Sequence, residues 1–83
     1  MENLSINARR FVLEANNDPE IYNEIIKPEL DRALNGEKVY IIHLVADIET
    51  EIPYHNISCE DFSDLVDYYR NVVKNYVESE KNA

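Results

Sequence analysis

Residues 38–52 read KVYIIHLVADIETEI, and the fold turns on how this stretch is read. Val39, Ile41, Ile42 and Val45 are β-branched, and Tyr40 shares their preference for a pleated, half-buried surface. That composition predicts a strand from Lys38 to about Ala46, extending toward Ile52. A hairpin turning at Ala46-Asp47 is the alternative, although no Gly, Asn-Gly or Asp-Gly marks a tight turn there. A single strand leaves its own backbone donors and acceptors unpaired, and an apolar edge invites pairing. The simplest completion is a second copy of the chain, so a homodimer with two-fold symmetry is expected.

Working outward, helical spacing governs the flanks. Upstream, Leu4, Ala8, Phe11, Val12 and Ala15 recur at three- and four-residue intervals, which predicts a helix over residues 5–16 with Ser5 or Asn3 as its cap. Asp18-Pro19-Glu20 starts a second helix: a capping carboxylate, Pro at the first position, and an acid at the positive helix end. This helix runs to Asn35, where Gly36 suits the position just past the end. Pro28 removes a backbone donor inside it, so a kink or break is expected near Lys27. Tyr22, Ile26, Leu30, Ala33 and Leu34 form its expected buried stripe. Downstream, Pro53-Tyr54-His55-Asn56 reads as a loop. Ser58, with Asp61 three residues on, then resembles a capping box. The helix that follows buries Phe62, Leu65, Val66, Tyr69, Val72, Val73, Tyr76 and Val77, and should fray near Glu78. The expected architecture is a single α+β domain over residues 1–83, in the order α-α-β-α, with helices packed on a short sheet completed by dimerisation.

The balance of 17 acids against eight bases, a net charge of −9, narrows function most. Direct binding to nucleic acid or to an anionic membrane face has the wrong electrostatic sign. The imbalance is local, because residues 39–69 contain seven acids and no Lys or Arg. Asp47, Glu49 and Glu51 alternate with Ile48, Thr50 and Ile52. On an extended chain these three carboxylates share a face, ~6.6–6.8 Å apart, a spacing similar to that of neighbouring phosphates along a nucleic-acid strand. Glu60, Asp61, Asp64 and Asp67 make a second row on the last helix. There the pairs Glu60–Asp64, Asp61–Asp64 and Asp64–Asp67 each cost roughly 0.2–0.5 kcal/mol in repulsion. Acids in a first helical turn account for Glu60 and Asp61, but less well for Asp64 and Asp67. Tyr68 falls among these acids, where a ring can pack on Lys or Arg of a partner or simply lie along its own helix.

Signals for chemistry are sparse. Cys59 is the only cysteine, which excludes an internal disulfide. His55 and Cys59 do not make a zinc site, which needs three or four ligands, nor a supported nucleophile–base pair. His43 alternates with apolar neighbours and reads as a packed or interface histidine. Asp47–Glu51 lacks the glycine and the bidentate Glu of a calcium loop. Gly36 is the only glycine, so there is no phosphate-binding loop. Neither a catalytic role nor a cofactor nor a metal is expected. The start of the chain has no long apolar run, and its longest apolar stretch is too short to cross a bilayer, so a cytoplasmic protein is expected.

In size, acidic balance and the two carboxylate rows Asp47/Glu49/Glu51 and Glu60/Asp61/Asp64/Asp67, the chain resembles the small acidic phage-encoded inhibitors that mimic DNA, including those directed at nucleoid proteins of the HU type. The resemblance implies a stoichiometric inhibitor, acting in takeover of a host, that occupies the basic cleft of a nucleic-acid-binding protein and displaces nucleic acid. The partner-binding residues would then be Asp47, Glu49, Glu51, Glu60, Asp61, Asp64, Asp67 and Tyr68. A dimeric structural or regulatory adaptor, or an antitoxin-like protein, with a merely solubilising acidic surface, is the alternative.

Overall fold

A computed structural model describes residues 4–52 and 57–82. The expected α+β fold is wrong: among the described residues there is no strand, and the chain is all α. Helix α1 spans Ile6–Asn17, α2 Pro19–Ile21, α3 Lys27–Leu34, α4 Ile41–Glu51 and α5 Cys59–Lys81. A π-helical segment, Tyr22–Ile26, joins α2 to α3 without a break. The expected loop at residues 53–56 lies outside the described residues.

The correction centres on α4. β-branching favours strands by no more than about 1 kcal/mol over the whole scale, and packing overrides it. Ile41, Leu44, Val45, Ile48 and Ile52 recur at helical intervals, and Leu44, Val45, Ile48 and Ile52 are buried. A helix also satisfies its own backbone groups, which a lone strand does not. With no strand to complete, the sheet-based reason for a dimer falls away.

The core joins Ala8, Phe11, Val12 and Ala15 of α1 to Ile26 and Leu30, to the buried face of α4, and to Leu65, Val66 and Tyr69 of α5. Helix α5, about 34 Å long at 1.5 Å per residue, is the common support for α1, α3 and α4. It continues to Lys81 instead of fraying at Glu78.

Most helix ends follow from local chemistry. Ser5 caps α1 by accepting from the Ala8 N–H at 3.1 Å. Asp18 caps α2, accepting from Glu20 N–H at 2.9 Å and from Ile21 N–H at 3.4 Å. Past α3, Gly36 adopts φ 82°, and the Glu37 and Gly36 N–H groups donate to the Arg32 and Ala33 carbonyls. That is a Schellman stop, and the left-handed φ is why glycine stands there.

Pro28 neither breaks the helix nor leaves it regular. In a regular helix the Pro28 ring would clash with the Glu24 carbonyl; here the ladder shifts, and Lys27 N–H donates to the Tyr22 carbonyl five residues back. This wider turn resets the buried stripe: Ile21 and Ile26, five apart, are buried with Leu30, while Tyr22 is 37% exposed. Ala33 and Leu34 are half-buried.

The helical assignment of α4 has a direct test. Thr50 is exposed in the last turn of α4, where its hydroxyl donates to the Asp47 carbonyl at 2.7 Å. Thr50→Ala exchanges that local bond for helix propensity and should leave stability unchanged or raise it by up to about 0.5 kcal/mol in urea unfolding. A strand there would lose stability on the same change.

Candidate acidic interface

The structure redistributes the expected carboxylate rows. On helix α4 Asp47 and Glu51, four residues apart, share one flank, and Glu49 falls on the other. Asp47 and Glu51 are exposed and Glu49 is half-buried. The evenly spaced, phosphate-like row of Asp47, Glu49 and Glu51 therefore does not exist, because it required an extended backbone.

In its place Glu51 meets acids from a distant part of the chain. Asp18, Glu20, Glu24 and Glu51 line a cleft of about 230 Å³ with Ile21 and Ile25. No Lys or Arg lines it. Asp18 and Glu20 have a local reason to be acidic, as cap and first-turn residue of α2. Glu24 and Glu51 have none. Glu51 ends α4, whose last turn carries no base, so its charge sits at the negative end of the helix, a placement costing roughly 0.3–1 kcal/mol. Counting charge along the chain could not find this cleft, since three of its four carboxylates lie outside residues 39–69.

The second row, on α5, separates into different roles. Asp61 is buried. Its Oδ1 accepts from the Ser5 hydroxyl at 2.6 Å, and its Oδ2 accepts from the Ser58 N–H at 3.4 Å. The Ser58 hydroxyl in turn accepts from the Asp61 N–H at 3.0 Å, completing the capping box. One carboxylate thus ties the starts of α1 and α5 together. The Ser5 hydroxyl, then the Ser58 groups, hold the Asp61 carboxyl below the usual carboxylate range, against the opposing effect of desolvation. Asp67 pairs with Arg70 at 3.0 Å, both exposed. Arg70 thus offsets the charge of Asp67, while exposed Glu60 and buried Asp61, the latter held ionised by neutral donors, still face half-buried Asp64 with no counter-charge among the described residues.

Tyr68 is half-buried and packs edge-on against Tyr69, with centroids 5.2 Å apart and planes at 86°. The Tyr69 hydroxyl is buried without a protein partner, and burial pushes this phenol's pKa up. Elsewhere, Lys27 Nζ donates to Tyr76 Oη at 2.5 Å and pairs with Asp31 at 3.2 Å, linking α3 to α5. These bonds raise the Lys27 pKa. His43, expected to be packed or at an interface, is exposed on α4 and stacks on Tyr40 at 5.6 Å. Cys59 is exposed, and His55 lies outside the described residues. Among the described residues no group of three or more His, Cys, Asp or Glu is arranged to hold a metal ion. No helix among them is long and apolar enough to cross a membrane.

The Asp61 joint carries a pH prediction. Its carboxyl is depressed in the folded state, so its stabilising effect is complete above the unfolded pKa of about 3.9. The effect is lost as pH falls through the lower folded pKa. Asp61→Asn should therefore lower stability at neutral pH and flatten the decline below about pH 4, measured by urea unfolding across pH. Ser5→Ala should cost about 1 kcal/mol as a lost cap at neutral pH.

Comparison of the chain with protein-family models, with curated proteins and with solved structures gave no match, so the functional reading rests on its own residues.

Proposed function

We propose that this protein is a stoichiometric binding protein that engages the basic, nucleic-acid-binding surface of a partner protein and displaces nucleic acid from it. The observation that carries this reading is the cleft where Asp18, Glu20, Glu24 and Glu51 converge without a lining cation. Carboxylates gathered from two separate helical segments, one of them at an unfavourable helix end, create a local negative field that attracts Lys and Arg. With a net charge of −9, the whole molecule adds to it. Complementary charge of this kind accelerates encounter and sets the salt dependence, while a few desolvated contacts determine affinity. Exposed Asp47 and Glu60 and half-buried Glu49 and Asp64 extend the acidic surface, whereas Asp61 is occupied by its capping role and Asp67 by Arg70. The mimicry is of charge density, since the even phosphate-like spacing is absent.

A competition assay tests it. Labelled duplex DNA bound to a basic nucleoid protein of the HU type should be released as the protein is added, more readily at low salt. Glu20→Gln, Glu24→Gln and Glu51→Gln combined should keep the fold and weaken displacement about tenfold, from roughly 0.5 kcal/mol per exposed charge. The salt slope should also become shallower. Displacement and salt response equal to the wild type's would exclude the acidic cleft as the binding surface.

One observation favours a second reading, an adaptor that associates through apolar contact. Tyr40 and Ile42, at the start of α4, are 58% and 59% exposed. If they form a homodimer contact, sedimentation equilibrium at micromolar concentration should give about twice the 9.7 kDa chain mass. Ile42→Lys should then return the monomer.

A further inference from the structure

A groove of about 430 Å³ runs between the π-helical segment with α3 on one side and α5 on the other. Tyr22, Tyr68, Tyr69 and Tyr76 line it, along with apolar Ile26, Leu30 and Val72. Four of the chain's six tyrosines meet here. Three of them stand on α5, and Tyr22 joins them from the π-helical segment across the groove. Tyr22 reaches the groove because the π-helical turn moves the buried stripe onto Ile21 and Ile26.

One edge of the groove already holds a cation with an acid. Lys27 Nζ donates to the Tyr76 hydroxyl at the end of that ring, and Asp31 accepts from the same hydroxyl at 3.4 Å. A tyrosine face attracts a cation through its negative π surface. The surroundings reinforce that sign: Asp18 stands one helical turn before Tyr22, and Asp64 one turn before Tyr68. Lys27, the cation at this place, is itself paired with Asp31. The acidic cleft and the groove also share a segment, since Glu24 lines the cleft while Tyr22 and Ile26 line the groove.

We infer that the tyrosine groove receives an arginine side chain presented by the basic partner. This rests on the reading of the protein as a binder of basic surfaces, and names the group that fixes register beside the acidic cleft. A guanidinium is planar, stacks on aromatic faces and sheds water more easily than an ammonium, so it suits a half-apolar, tyrosine-walled groove better than lysine does. The polar rim residues Asn16, Asn75 and Ser79 offer oxygens that can accept from guanidinium N–H groups.

The test uses the whole chain and needs no partner protein. A short arginine-containing peptide is titrated into isotope-labelled protein and followed by NMR, with the matching citrulline and lysine peptides as controls. The arginine peptide should shift the ring signals of Tyr22, Tyr68 and Tyr76, and bind more tightly than the lysine peptide. The citrulline peptide, isosteric but uncharged, should leave them unchanged. Tyr22→Leu and Tyr68→Leu, which keep apolar volume but remove the ring, should each weaken the peptide roughly two- to fivefold, with unchanged circular dichroism. Shifts confined to Glu20, Glu24 and Glu51, equal binding of citrulline, or indifference to both leucine variants would overturn the groove assignment. None of these results depends on DNA displacement, so this inference and the proposed function fail separately.

Discussion

The carboxylate of Asp61 is the constraint on which the arrangement of the helices depends. Two helices that start side by side each present unsatisfied N–H groups, and each needs an acceptor. Ser5 and Ser58 supply the side-chain caps, and Asp61 binds both caps at once. The bond between Ser5 and Asp61 joins residues 56 apart in sequence, so it fixes where α1 begins against α5. From that point Ala8, Phe11, Val12 and Ala15 descend into the core beside Leu65 and Tyr69. A buried carboxylate is tolerated there because both its oxygens accept hydrogen bonds. The same engagement withdraws it from any partner.

What could be read from sequence was what local chemistry decides. Ser5, Asp18-Pro19, Gly36 and the Ser58–Asp61 box mark helix ends through bonds spanning two to five residues, and the structure has each of them. Helix α4 was misread because two signals in residues 41–52 disagree. The β-branched residues favour a strand weakly, and the spacing of Ile41, Leu44, Val45, Ile48 and Ile52 favours a helix. Spacing wins because it determines which side chains can reach α5 together, and burying three or four such residues outweighs a propensity difference of tenths of a kcal/mol per residue. The difficulty of a strand with no partner was itself a sign that the helix was the better solution.

The acidic surface was legible in amount and not in place. A segment with seven acids and no base looks like one continuous negative face when counted along the chain. Folding gives Asp61 to a cap and Asp67 to Arg70, and turns Glu49 away from Asp47. It then brings Glu51 to Asp18, Glu20 and Glu24, which lie outside that segment. The relevant quantity is the set of carboxylates that remain unpaired and face a common space.

Pro28 connects the fold to the recognition surface. In a regular helix its ring would clash with the Glu24 carbonyl; here the turn before it is widened, with Lys27 N–H donating to the Tyr22 carbonyl, and the buried stripe advances by one residue. A regular helix would keep Tyr22, Ile26 and Leu30 in one four-residue series facing the core. The π-helical turn buries Ile21 in place of Tyr22, and the tyrosine is left at the edge of the groove with Tyr68 and Tyr76. Lys27 is the first residue of α3, and its side chain crosses to Tyr76. A backbone adjustment made for one proline therefore leaves an aromatic ring on the surface, on the same segment whose Glu24 lines the acidic cleft.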